Sequence, residues 1–214
     1  MSNEALDLER DDAQEGDGGH TSWARFGLLT APAVLGAGAL VFAMSQGAIA
    51  ASFAVSGQQF KISADRLEGD GFAMYGSLDQ TVREEVKPVA VAAIREAELD
   101  SLCQSVLTEF PILGEVSLKL TAGTEDTPVE ASNLFVDMEQ MDGDAEFSQL
   151  EIGRDASTLD KGPEGGQGMQ DLFGMQGDTI EVDNLEQTAW GANAGTFRLS
   201  DLSMGVEQGA NECF

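Results

Sequence analysis

From Ser52 onward, apolar and polar residues alternate along the chain. Phe53, Val55, Phe60, Ile62 and Ala64 fall on one face, with a Ser56-Gly57 turn between them, which is the period of a half-buried strand. The segment Ile62-Ser63-Ala64-Asp65-Arg66-Leu67 runs into a turn cluster, Glu68-Gly69-Asp70-Gly71. Its form returns in Val129-Glu130-Ala131-Ser132-Asn133-Leu134 and in Ile180-Glu181-Val182-Asp183-Asn184-Leu185. Each copy has apolar residues at its first, third and sixth positions. The first two suit a strand face, and the polar pair before the leucine suits a bulge or turn that shifts the phase. Val116 to Leu120 alternates and predicts a further strand. Val86 to Gln104 is rich in helix formers, but Val89-Ala90-Val91 alternates behind Pro88, so a strand is preferred. Phe147 to Gly153 resembles Phe197 to Gly205, and similar hairpins in one sheet explain this more simply than a duplication. Lys161 to Gly177 holds six glycines and Pro163 and predicts a long flexible loop. The pattern predicts a mainly β fold: one β-rich domain over residues 52–214, sandwich-like or a short stacked β structure. The alternative is an α+β domain with Val86 to Gln104 helical.

The region before this domain has a different pattern. Phe26 to Ala51 carries no charged residue and exceeds the roughly 20 apolar residues that a bilayer-spanning helix needs. Pro32, Gly36 and Gly38 are tolerated in such helices. Ala48-Ile49-Ala50 also fits a signal-peptide cleavage site, with the bond between Ala50 and Ala51 cut. Transmembrane anchor and signal peptide are both carried forward, and both export the rest of the chain. Residues 1–25 form an acidic tail that its composition marks as disordered. Arg10 and Arg25 are its only bases, and they favour a cytoplasmic tail.

Charge narrows the partners. The formal net charge is −27, and seven of the 38 acids lie in the tail, leaving 31 acids against nine bases in the exported part. A surface of that sign repels nucleic acid and anionic head groups. Both cysteines, Cys103 and Cys213, lie past the apolar stretch. Two thiols in one small exported domain are expected to pair, pinning the end of the chain. With no histidine beside them they cannot complete a zinc site.

Candidate chemistry is sparse. His20, in the tail, is the only histidine, so the exported part lacks the base of a Ser-His-Asp hydrolase. No G-x-S-x-G elbow is present, and Ser77 lacks the following glycine. Lys61, Lys87, Lys119 and Lys161 could serve a Ser-Lys dyad, but no motif couples one to a serine. Gly165-Gly166-Gln167-Gly168 lacks the lysine and Ser/Thr of a phosphate loop. Asp137, Glu139, Asp142 and Asp144, with Glu146, are oxygen ligands for a calcium site, although the twelve-residue loop pattern is missing. Alternating acids on the wet face of a strand explain them equally. Trp190, Phe197, Met138, Met141, Met169, Met175 and Met204 are candidates for an apolar ligand cavity, with ordinary core as the simpler use.

Several stretches carry a resemblance: GQQFKISADRLEGDGFAMYG from Gly57, Cys103-Gln104-Ser105-Val106, KLTAG from Lys119, PVEASNLFVDME from Pro128, QTAW from Gln187, AGTFRLSDLSM from Ala194, and Glu212-Cys213-Phe214. In these the chain resembles an actinobacterial family of exported proteins of unknown function. Some members bear the label cholesterol esterase, but no motif here supports it. The resemblance implies export and a shared fold and carries over no catalytic residue. The charge of −27 departs from the more neutral members.

The expectation is a non-enzymatic protein of the cell membrane, or a secreted one, that acts by binding or assembly with envelope proteins. Homo-oligomers are included among the assemblies. A lipid or apolar-ligand carrier is the alternative. A lipid esterase is a further one, disfavoured by the missing histidine. No cofactor is expected except calcium.

Overall fold

The computed structural model describes residues 56–214. The acidic tail, the stretch Phe26 to Ala51 with its Ala50–Ala51 bond, and the alternating Phe53 and Val55 lie outside the described residues. Nine strands follow in order: β1 Phe60–Gln80, β2 Val86–Asp100, β3 Leu102–Phe110, β4 Gly114–Ala122, β5 Val129–Ser148, β6 Glu151–Asp155, β7 Phe173–Asn193, β8 Thr196–Arg198 and β9 Ser203–Gln208. A single 3-10 turn, Ala156–Thr158, follows β6. Val86 to Gln104 is strand on both sides of a bend at Ser101, where φ is 54° and β2 gives way to β3, so the α+β alternative does not hold.

Four long strands close a ring. β1 pairs with β2, β2 with β5, β5 with β7 and β7 with β1, all antiparallel. The mainly β expectation holds, and its form is a single antiparallel sheet that curls onto itself as a narrow barrel. Closure removes the edges that four long apolar strands would otherwise expose. Beyond the end of β2, β3 takes over its side of β1, and β4 and β9 continue outward as a three-stranded wing.

The three repeated segments supply the barrel interior. Ile62, Ala64 and Leu67 are buried, as are Val129, Ala131 and Leu134, and Ile180, Val182 and Leu185. Asn133 and Asn184 have φ of 48° and 54°. That left-handed step, tolerated by asparagine, turns the leucine back to the face it would otherwise miss. The first and third copies lie side by side, with Ala64 opposite Leu185 and Leu67 opposite Val182. Phe72, 1% exposed, stacks at 5.4 Å from Phe147. Gly69 permits a close approach of three strands: a Cβ there would lie 2.7 Å from Ile94 Cγ2 and 2.9 Å from Ile180 Cγ2.

The segment from Lys161 to Gly177 departs from its expectation. Phe173 to Gly177 belongs to β7. The rest packs on the outer face of the sheet over Ala73 and Ala93, with Leu159, Pro163 and Gly166 buried. Arg95 donates to the carbonyls of Lys161 and Gly162. Its glycines serve close approach, since a Cβ at Gly162 would stand 2.7 Å from that of Ala73.

Candidate functional site

The wing has two unlike faces. Alternation in strands puts odd-numbered residues of β3, β4 and β9 on one side and even-numbered ones on the other, because the pairings join like parity. The odd face is clasped by the C-terminal segment. Ser117 Oγ donates to the Gly209 carbonyl at 2.7 Å and accepts from Asn211 N at 2.8 Å, while Ser105 Oγ accepts from Cys213 N at 3.0 Å. Both serines are buried. Lys61 Nζ holds Glu212 at 3.1 Å and the Phe214 carbonyl at 2.8 Å. Cys103 and Cys213 form the expected disulfide, closing a loop with a sequence separation of 110. The chain-entropy treatment assigns such a loop about 5 kcal/mol.

The even face is open. Gln104, Val106, Thr108 and Phe110 of β3, Val116, Leu118 and Leu120 of β4, and Met204, Val206 and Gln208 of β9 include no charged residue. Val106, Leu118 and Val206 form one row across the three strands. Leu118 is 41% and Val206 69% exposed. Gln104 lies opposite Ile62 of the core, so this face is the barrel's inner face carried outward without a lid.

The core holds an apolar cavity of about 70 Å³, with Met141 and Phe197 among its lining residues. Ligand pockets start near 300 Å³, so the interior is filled by its own side chains. The other proposed lining residues scatter. Met138 is buried core, Met169 and Met204 are exposed, and Trp190 lies under Lys87 Nζ at 5.1 Å.

Carboxylates gather at two other places. Glu130, Glu98, Glu68, Glu181 and Glu146 stand directly opposite one another across β5, β2, β1, β7 and β5 again. A groove of about 410 Å³ runs over this row. Arg66 meets Glu68 at 2.5 Å and Glu181 at 2.6 Å, and Arg198 meets Glu130 at 2.8 Å. At the second place, burial and then the charge of Asp79 push Asp137 up to about 6. Burial also raises Asp79, whose buried Oδ2 has no hydrogen-bond partner. Tyr75 is raised by burial and by Asp137.

The structure does not bring the four calcium candidates together. Asp137 and Asp144 are seven residues apart on β5, about 20 Å at the strand rise of roughly 3.3 Å per residue. Glu139 accepts from Gln59 Nε2, and Asp142 accepts from Gln140 Nε2 at 2.6 Å. Asp142 and Asp144 face Glu186 and Asp183. Among the described residues no group of three or more His, Cys, Asp or Glu side chains is arranged to hold a metal. Three of the four candidate lysines are held in ion pairs: Lys61 with Glu212, Lys87 with Glu85, and Lys161 with Asp178 and Glu151. The hydrogen bond from Lys161 to Asp178 is the largest influence on that lysine and raises its pKa, which opposes work as a base.

Sequence reasoning missed Gln176, which is fully buried and makes four hydrogen bonds. Its Oε1 accepts from the backbone N–H of Asp160 and Lys161, and its Nε2 donates to Asp160 and Glu151. An isolated glutamine in a Gly-rich stretch gives no local sign of that role.

A family profile matches residues 56–214, the span of the barrel and wing. The chain belongs to the family of unknown function DUF6230. No curated protein and no solved structure matches it. The DUF6230 match includes the repeated strand segments, the wing and both cysteines.

Proposed function

We propose that this protein is a non-catalytic binding domain of the cell envelope, displayed outside the membrane by Phe26 to Ala51, and that it assembles with an envelope protein through the wing. The observation that carries this reading is β9. It ends the sheet, its outer edge pairs with nothing among the described residues, and all six of its residues are exposed. A free edge offers a row of backbone donors and acceptors for an added strand. Edges are usually blunted by charge, and β9 carries just one, Glu207, after the uncharged Ser203 to Val206. The partner is another envelope protein or a second copy of this chain. The filled core argues against the carrier alternative, and the lysine ion pairs argue against a Ser-Lys esterase.

Native mass spectrometry of the full chain, gently extracted from its membrane, tests the reading. The expected result is a discrete complex that Val206→Lys disperses. A monomer with no bound protein, in wild type and variant alike, would defeat it.

A further inference from the structure

We propose that the Phe110–Gly114 tip of the wing docks on the lipid bilayer. The inference rests on the anchored form of the reading above. β3 runs antiparallel to β1, and Lys61 pairs with Ser105, so the β3–β4 turn lies at the end of the barrel where β1 begins. Thr108 Oγ1 reaches Gln58 Oε1 at 3.5 Å, which puts the first described residues beside the wing near its tip. Ser56 lies two residues before Gln58, and only residues 52–55 separate it from the charge-free stretch. Extended chain covers at most about 3.6 Å per residue, so the five steps from Ala51 to Ser56 reach no more than about 18 Å. A membrane that holds Ala51 therefore holds this end of the barrel at its surface.

The chemistry at this end suits that position. The turn is Phe110-Pro111-Ile112-Leu113-Gly114, with Ile112 95% exposed and Phe110 and Leu113 exposed beside it. Gln208 Nε2 donates to the Leu113 carbonyl at 3.2 Å and ties the tip to β9. Apolar side chains at a rigid turn enter the interfacial layer at little ordering cost. The acidic surface elsewhere repels anionic head groups, whereas Phe110, Pro111, Ile112 and Leu113 carry no charge to desolvate. Glu109 and Glu115, paired across the base of the tip on the odd face, mark where insertion stops. The opposite end of the barrel is a built-in comparison. Its β1–β2 turn also exposes an apolar residue, Val82 at 75%, but Arg83, Glu84 and Glu85 follow it directly.

The test uses the full chain in phosphatidylcholine vesicles, with a nitroxide at Ile112→Cys or, separately, at Val82→Cys. Collision with oxygen and with a water-soluble nickel chelate reports depth. At Ile112 oxygen access should rise and nickel access fall several-fold relative to Val82, and adding Leu113→Asp should reverse much of that. Chain that floats with the vesicles while Ile112 stays as open to nickel as Val82 overturns the docking and leaves the anchor standing. Chain that does not float overturns the anchored reading and the docking with it. Shielding at Ile112 accompanied by dipolar broadening, both removed by dilution with unlabelled chain, assigns the tip to a second copy and also overturns the docking.

Discussion

Gln176 on β7 donates from Nε2 to Glu151 Oε2 on β6 at 3.0 Å, while its Oε1 receives the backbone N–H groups of Asp160 and Lys161. One buried amide thus fastens both β6 and the segment that lies over Ala73 and Ala93. Arg154 first, and Gln176 next, hold the Glu151 carboxyl down at about 2. A lowered folded pKa contributes stability that is present above the unfolded value and lost as pH falls toward 2. Gln176→Ala should cost about 2 kcal/mol through orphaned N–H groups, read by thermal unfolding. Gln176→Glu should also destabilise near pH 7, where it sets a third carboxylate against Glu151 and Asp160, and should recover on acidification. A melting temperature unchanged in both variants would contradict the fastening role.

Asp137 titrates with the opposite sign. Its folded pKa, about 6, is raised above the unfolded value near 4, so the folded state holds more protons between those limits. Stability is then gained as pH falls from about 6 to 4 and lost as it rises again. A rise of that size would be worth about 3 kcal/mol if undiminished. On a half-buried side chain near solvent, screening leaves about 1 kcal/mol. Asp137→Asn should therefore stabilise the protein by about that amount at pH 7 and flatten its stability profile between pH 4 and 6. A steeper profile in the variant would refute the assignment.

Glu98 stands between Glu68 and Glu130 and is the member of that trio with no ion-pair partner among the described residues. Like charges directly opposite across strands destabilise by a few tenths to about 1 kcal/mol. Glu98→Gln should raise stability by about 0.5 kcal/mol at low ionic strength, and the gain should fade in high salt. Chemical denaturation in urea at two salt concentrations measures both. A loss of stability at low salt would mean that Glu98 has a favourable partner after all.

The strand segments were legible because their information is local. Apolar residues at the first, third and sixth positions state which side faces inward, and Asn133 and Asn184 carry the left-handed step that makes that spacing work. The disulfide was legible from two cysteines in one small domain. The β-rich character and the strand nature of Val86 to Gln104 came from alternation alone.

Tertiary structure decided the rest, because it depends on what meets what. The alternation of Val116, Leu118 and Leu120 identifies a strand and an apolar face but not whether anything covers that face; the barrel closes without it, and Leu118 stays open. The glycines of residues 161–177 read as freedom in sequence. In the fold Gly162 and Gly168 are contact points, because the Cβ each lacks would strike Ala73 or Ala156. Asp137 looked like its neighbours Asp142 and Asp144 on paper. The fold half-buries it near Asp79 and leaves the other two in water. Local pattern fixes the direction of a side chain from its own backbone, whereas burial and charge coupling arise from strands that pair across gaps as long as that between Phe60 and Ala189.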